Sequence, residues 1–280
     1  MSKQLLIYDR VVPISSEAHK DWSVKVSDNY RFCSALNSCP LLAAEFVTAS
    51  QDYAIVFATS VGSVFPAVLL GFEDGHNLFV DEDGAWKGSY VPAFLRRYPF
   101  VFAEDVDGDG KFTLCIDEEY KGLNQDGKGE RLFDSEGNRT QFLQSMLAFV
   151  TQFQAQFNRT KEFCDKLSRL GLLEPAQARF TTAEGRTGNL GGFLTIVRDR
   201  LKAIPADSLK EMFATDELEL CYAHLHSLQN VNRLGSRMQA KPTGLAEPLE
   251  ISTSETSTAS VAEGVGEEDD ETSAQDAVKH

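Results

Sequence analysis

Residues 69–100 read LLGFEDGHNLFVDEDGAWKGSYVPAFLRRYPF, and apolar runs, turn signals and a cationic pair are packed there more densely than elsewhere in the chain. Val68, Leu69 and Leu70 form a run that stops at Glu73-Asp74-Gly75, and Leu78 to Val80 form a second that stops at Asp81-Glu82-Asp83-Gly84. An Asp-Gly pair supplies the φ > 0 residue of a tight hairpin turn, so the stretch predicts a β-meander. After Trp86, Val91 to Tyr98 places Phe94 four residues before Tyr98 and Arg96 beside Arg97. That is the pattern of a short amphipathic helix entered at Pro92 and ended by Pro99, with a strand over Phe100 to Ala103 to follow. Neighbouring helix residues point about 100° apart, so the two arginines are expected to divide. One should pair with a buried carboxylate, Glu45 or Asp117, and the other should face solvent or an anionic ligand, the core side lying nearer Arg97.

Working outward, 280 residues of which 42% are hydrophobic are enough for one large core. The start, MSKQLLIYDR, has an apolar run of only three residues before Asp9, too short for the core of an export signal. No apolar stretch reaches the ~18 residues of a membrane span. Five cysteines, Cys33, Cys39, Cys115, Cys164 and Cys221, are scattered without a CxxC pair, which fits reduced, packed thiols in the cytoplasm rather than a disulfide framework or a zinc site. The net charge is −15, and the segment from Lys241 onward, with ten acidic residues against two lysines, carries −8 of it. That segment lacks aromatic residues and is expected to be a disordered acidic tail, 241–280. The overall sign argues against a nucleic-acid partner, which needs a basic footprint.

Before the central stretch, Leu5 to Tyr8 and Val11 to Ile14 read as extended, and Trp22, Val24 and Val26 alternate as a half-buried strand, with His19 between them. Leu41 to Ala49 suits one short helix, Tyr53 to Ala58 an inner strand, and Gly62 to Phe65 a loop. After it, Asp105-Val-Asp107-Gly-Asp109-Gly110 matches the first half of a calcium loop. Its twelfth position is Ile116 rather than a bidentate glutamate, and FTLCID alternates as a strand, so a polar hairpin tip is expected. Thr140 is placed to cap the strongest helix, Gln141 to Leu170, with Phe142, Met146, Phe149, Phe153 and Phe157 along one stripe and Gly171 ending it. Leu172 to Pro175 is expected as a turn, Thr181 to Gly191 as a loop and Gly192 to Val197 as a strand. One last helix is expected from Glu217 to about Met238. His224 and His226, two apart on a helix, cannot chelate one metal, and no nucleotide fingerprint or familiar catalytic motif is present. The chain is therefore expected to be a single α+β domain, residues 1–240, with a mainly antiparallel sheet from its middle covered by the long helix and the C-terminal helix. No cofactor and no metal is expected.

NLFVDEDGAWKGSYVPAFLRRYPF, followed by CIDEE from Cys115 and preceded by PLLAAEF from Pro40, resembles the bacterial SapC family, named for an association with surface layers. The similarity extends through VPISSEAHKDW, LFDSEGN, FCDKLSRLGLLEP and YAHLHSLQNVNRL, over roughly residues 5–235. It is not a resemblance to the peptide-transporter permease of the same name, which would need several membrane spans. The resemblance implies a non-catalytic binding or accessory protein in a pathway serving the cell surface or nutrient uptake. It also implies a protein partner, a co-encoded oxygenase or halogenase-like flavoprotein among the candidates, and family members tend to carry a histidine at the place of His19. An enzyme, or an enzyme's partner subunit, modifying a peptide or glycan is the alternative. The candidate ligand-binding residues are His19, Arg96, Arg97 and Asp117; their convergence in a cleft would favour the enzyme, and their dispersal in a packed core would favour binding. Because the calcium pattern stops halfway, adding micromolar calcium is expected to leave the melting temperature where chelator leaves it, and a reproducible upward shift in thermal scans would overturn the hairpin-tip reading.

Overall fold

The computed structural model describes residues 7–60, 62–104, 112–181, 185, 187–238 and 251–253. In chain order the strands are β1 (Val11–Pro13), β2 (Ser23–Val24), β3 (Ser38–Pro40), β4 (Ile55–Ser60), β5 (Ser63–Leu69), β6 (Phe100–Glu104), β7 (Phe112–Asp117), β8 (Leu123–Asn124), β9 (Glu130–Arg131), β10 (Leu173–Thr181), β11 (Thr187–Ile196) and β12 (Ile251–Thr253). The helices are α1 (Ser16–His19), α2 (Phe46–Ala49), α3 (Ala93–Arg96), α4 (Gln141–Arg169), α5 (Arg198–Lys202), α6 (Ala206–Ala214), α7 (Glu217–Ser227) and α8 (Asn230–Met238). The fold is α+β. Its strands pair antiparallel in three sheets, ordered β1-β7-β6, β8-β2-β9 and β12-β10-β11-β4-β5-β3. The long helix α4 packs on β5 and β6, and α7 packs on β4 and β11.

The inner strand forms as its composition dictates. Ile55, Val56 and Phe57 are continuous rather than alternating, and all three are buried, as a strand covered on both faces requires. Phe57 packs on Phe46, which meets Phe163 of α4 edge-on at 6.0 Å. Helix α4 starts where Thr140 Oγ1 accepts from the Leu143 amide at 3.3 Å, and it ends before Gly171, whose φ of +63° few other residues adopt. Its buried line is Leu143, Val150, Phe153, Thr160, Phe163, Cys164 and Leu167, with Phe149 and Phe157 half-buried beside it.

The structure corrects several expectations. The run Leu78 to Val80 makes no meander strand; it is a folded loop with one isolated bridge, Val80 to Trp86. Asn77 Oδ1 accepts from the Phe79 amide, the Leu78 amide donates to the Leu70 carbonyl and the Phe79 carbonyl accepts from the Lys87 amide, while Asp81 Oδ1 shapes the next turn by accepting from the amides of Asp83 and Ala85. Ser63 to Phe65 is strand rather than loop, because β4 and β5 run on to the pair Ser60–Ser63 and Gly62 turns the chain at φ +76°. Leu173 to Pro175 of the expected turn lie in β10, and Thr181 and residues 187–191 of the expected loop lie in β10 and β11, which pair as antiparallel strands. Their inward positions include Ala176 and Ala178, 6% and 0% exposed, and such small side chains hide a period-two pattern from the sequence. Trp22 to Val26 shrinks to a two-residue strand with Val26 exposed, and Leu41 to Ala49 is a 3-10 turn (Ala43–Glu45) running into α2.

The last helix is two, α7 and α8. At the break, Asn230 Nδ2 donates to the carbonyls of Ser50 and Tyr53, while Ser227 Oγ accepts from the Ile55 amide. The Asp105–Asp109 loop lies outside the described residues. So does the tail from 241, except that Ile251–Thr253 pair with β10; the expectation of a disordered tail does not extend to those three.

His224 sits where α7 crosses the large sheet, fully buried against Phe57 at 5.0 Å, with Nε2 accepting from the Ile196 amide. Burial lowers its pKa from 6.5 to about 3, so the folded state holds it neutral. Between pH 3 and 6.5 the unfolded chain binds a proton that the native chain refuses, and stability falls as pH drops through that window. The stability advantage of the wild type over His224→Gln, measured by urea unfolding, is therefore expected to shrink by about 1 kcal/mol per unit of acidification below pH 6.

Candidate functional site

Two neighbouring constellations hold the candidate residues, one on each side of α3. Glu45, 6% exposed at the end of the 3-10 turn, has Oε2 on the Leu42 amide at 2.9 Å and Oε1 on the Ala93 amide and the Tyr90 hydroxyl, both at 2.7 Å. A buried carboxylate needs such donors, and Ala93 is the first residue of α3, so Glu45 caps that helix. Tyr90 passes the contact outward, since its hydroxyl oxygen accepts from Arg96 Nη2 at 3.0 Å. Burial, and then Glu45, push the Tyr90 hydroxyl up to about 12, so it remains a donor to the carboxylate at neutral pH. Arg96 Nε donates to the Val91 carbonyl, and its guanidinium carbon lies 5.4 Å from the Tyr90 ring and 5.5 Å from that of Phe149. Arg96 is exposed. Four contacts thus fix an exposed guanidinium from its inner side.

Arg97 points the other way and is 2% exposed. Its guanidinium carbon is 4.6 Å from the Phe153 ring, 4.7 Å from Phe94 and 5.8 Å from Tyr8. Burial lowers its pKa, and Tyr8 opposes that shift. The split between the two arginines is as the helix geometry requires. Their carboxylate partners differ from the expectation: Glu45 reaches Arg96 only through Tyr90, and Asp117 is met by amides and a tyrosine. Asp117, fully buried at the end of β7, accepts from the amides of Asp9, Arg10 and Glu119 at 2.9 to 3.1 Å and from the Tyr98 hydroxyl at 3.3 Å. It stitches the N-terminal segment to β7.

His19 follows Asp117 around the same corner. The Ser15 cap of α1 places it, 2% exposed, with Nδ1 accepting from the Ser15 amide at 3.4 Å. That leaves the proton on Nε2, which stands 3.6 Å from Glu118 Oε1. Glu118 and Glu119 also hold Arg10, at 2.8 and 3.2 Å. Tyr8 lies between Arg97 and Asp117, feeling both, and burial raises its hydroxyl to about 12.

The structure therefore brings His19, Asp117 and Arg97 to one strip around β1 and β7, each engaged with its own neighbours, and sets Arg96 apart. Sequence reasoning missed Glu118, Arg10, Tyr8 and Tyr90. Glu118 and Glu119 next to Asp117 were the one visible hint; nothing local marks Tyr90 as the bridge between residues 45 and 96. Burial raises all five thiols, those of Cys33, Cys164 and Cys221 to about 12, so none is a thiolate at neutral pH. Among the described residues no three His, Cys, Asp or Glu side chains group as a metal site would require, and no helix is long and apolar enough to cross a membrane.

The architecture defines an α+β protein whose acidic residues at α3 and β7 are spent on organising the chain. Residues 14–234 match the SapC family, and the chain belongs to that family. Comparison with the curated proteins and with the solved structures returns no match.

The two arginines give a direct test. Arg97→Ala empties a space between Phe94, Phe153 and Tyr8 and is expected to cost on the order of 3 kcal/mol in urea unfolding. Arg96→Ala is expected to cost under ~0.5 kcal/mol. Equal, small losses would overturn the assignment of Arg97 to the core.

Proposed function

We propose that this protein is a non-catalytic binding or accessory member of the SapC family, acting in the cytoplasm on a pathway that serves the cell surface or nutrient uptake. The observation that carries the binding half is Arg96. Its Nε and Nη2 are committed to the Val91 carbonyl and the Tyr90 hydroxyl, its plane lies by two rings, and Nη1 has no hydrogen-bond partner among the described residues. An arginine held this way loses little rotamer freedom on binding and presents a fixed donor to a carboxylate or another anion. The ligand in this reading is an anionic group on a protein partner, and a co-encoded oxygenase or halogenase-like flavoprotein is the candidate that the family resemblance supplies. The cytoplasmic placement is supported by five buried cysteines, none of them in a disulfide.

An enzyme, or the partner subunit of one, acting on a peptide or glycan is the second reading, and one observation favours it. Among the described residues the buried His19 Nε2 has no hydrogen-bond partner, and it faces Glu118 at 3.6 Å, a pairing suited to moving a proton once a substrate closes the gap. Against it, Asp117 and Arg97 are turned to structural neighbours.

Native affinity purification with mass spectrometry separates the readings. Wild-type protein is expected to retain a partner that Arg96→Ala loses at an unchanged melting temperature, while His19→Gln retains it. Full retention by Arg96→Ala removes Arg96 from the interface and with it the support for this form of binding.

A further inference from the structure

Arg96 does not stand alone at the surface. Tyr30 is tied to the turn at Asp81–Gly84, its amide donating to the Gly84 carbonyl at 2.7 Å, and its ring meets that of Trp86 at 5.5 Å. Trp86 Nε1 donates to the Tyr90 carbonyl at 3.0 Å. Tyr90 in turn holds Arg96, whose guanidinium carbon also lies by Phe149. Tyr30, Trp86, Tyr90 and Phe149 are all half-buried, so each leaves part of its ring in water. Burial raises the Tyr30 hydroxyl above its usual pKa, the Asp28 carboxylate and the Cys33 thiol add to the shift, and the Arg96 guanidinium opposes it. The phenol therefore stays protonated at neutral pH, within electrostatic reach of Arg96, and its oxygen has no hydrogen-bond partner among the described residues.

The chemistry left open specifies what fits. A guanidinium carries five N–H groups; the Val91 carbonyl and the Tyr90 hydroxyl take one each, which leaves both on Nη1 and one on Nη2. Free N–H groups on two nitrogens of a planar fork match the two oxygens of a carboxylate. Charge points the same way. Arg96 is one cation, the Asp28 carboxylate acts on Tyr30 against it, and the chain carries −15 overall. A dianionic phosphate or a run of acidic residues meets net repulsion here, whereas a single carboxylate is neutralised. The rings around the guanidinium add an apolar seat next to the charge, and aromatic groups are what such a seat packs best.

We infer that Arg96 and Tyr30 together form a site for a single carboxylate joined to an aromatic side chain, as a peptide carries at a C-terminal aromatic residue or at an acidic residue beside one. The inference rests on the binding role given to Arg96 and adds to it the class of ligand and a second donor. Arg96 takes the carboxylate oxygens, the Tyr30 hydroxyl donates to one of them, and the ligand's ring packs by Tyr30 and Trp86.

The test follows the indole N–H signal of Trp86 by NMR on the full chain, with that of Trp22, the other of its two tryptophans, as an internal control. N-acetylphenylalanine or acetyl-Asp-Phe-amide is expected to move the Trp86 signal saturably and leave Trp22 in place, the first probe marking a C-terminal carboxylate as the source and the second a side-chain one. N-acetylphenylalaninamide, acetate and inorganic phosphate are expected to bind about tenfold more weakly or not at all. Arg96→Lys, which keeps the charge and loses the fork, should weaken the bound probe about tenfold, and Tyr30→Phe about fivefold, both at an unchanged melting temperature. Equal binding of the amide would overturn recognition of the carboxylate, and acetate binding as tightly would overturn the aromatic seat. Phosphate binding more tightly than either carboxylate probe would overturn the single-charge assignment, and an unchanged affinity in Tyr30→Phe would overturn the second donor. If no probe moves Trp86 while Arg96→Ala still loses its partner, the binding role of Arg96 stands and this inference falls. If the carboxylate probes bind and Arg96→Ala keeps every partner, the site stands and the protein-partner reading falls.

Discussion

A carboxylate withdrawn from water has to be met by donors or it costs several kcal/mol, and in this protein Glu45 makes that requirement organise the chain. Its two oxygens gather the turn before α2, the first amide of α3 and the Tyr90 hydroxyl. Because α3 is only four residues long, it has no helical stability of its own; the cap and the packing of Phe94 and Leu95 fix its rotation. That rotation decides which arginine is inside. Asp117 plays the matching part at the other end of the strip, holding the amides that bring β1 alongside β7. Two acidic side chains that sequence alone suggests as partners for cations therefore act chiefly on backbone amides.

Much of the architecture is readable from residues because the signals are local and redundant. Thr140 and Gly171 bound a long apolar stripe, Ile55 to Phe57 are an unbroken apolar run, and Pro92 and Pro99 bracket α3. What escapes reading follows a physical pattern. The hairpin of β10 and β11 buries the small Ala176 and Ala178 and carries Gly188, Gly191 and Gly192 at half-buried or exposed positions, which leaves almost no hydropathy contrast. The break between α7 and α8 has no breaker residue; it is set by Asn230 reaching the carbonyls of Ser50 and Tyr53. Conversely, Leu78 to Val80 carries a strand's composition without a ladder: Asn77 takes the Phe79 amide, and Leu78 and Phe79 make single backbone bonds to Leu70 and Lys87.

The site is less legible than the fold. His19, Arg96, Arg97 and Asp117 stand out by residue type, and the 100° step along a helix is enough to separate the two arginines. Their neighbours come from distant segments: Tyr90 bridges residues 45 and 96, and Tyr8 lies between Arg97 and Asp117. Such relays depend on tertiary placement, which no spacing rule encodes. Their effect is to leave Arg96 as the one cation of the four candidates that is both oriented and exposed.

The caps on β4 also bear on how the chain is made. The Ile55 amide is met by Ser227, 172 residues later, and the Tyr53 carbonyl by Asn230, 177 residues later. At a synthesis rate of 5–20 residues per second, roughly 10–30 s pass between the emergence of the central strand and that of the groups that satisfy it. During that interval Ile55, Val56 and Phe57 form an apolar strand with its flanking polar groups open, the kind of segment that chaperones bind. Completion of the domain on the ribosome therefore waits for its last helices, and a chain stalled before residue 227 would present this strand with α7 missing from one face and its Ile55 amide unmet.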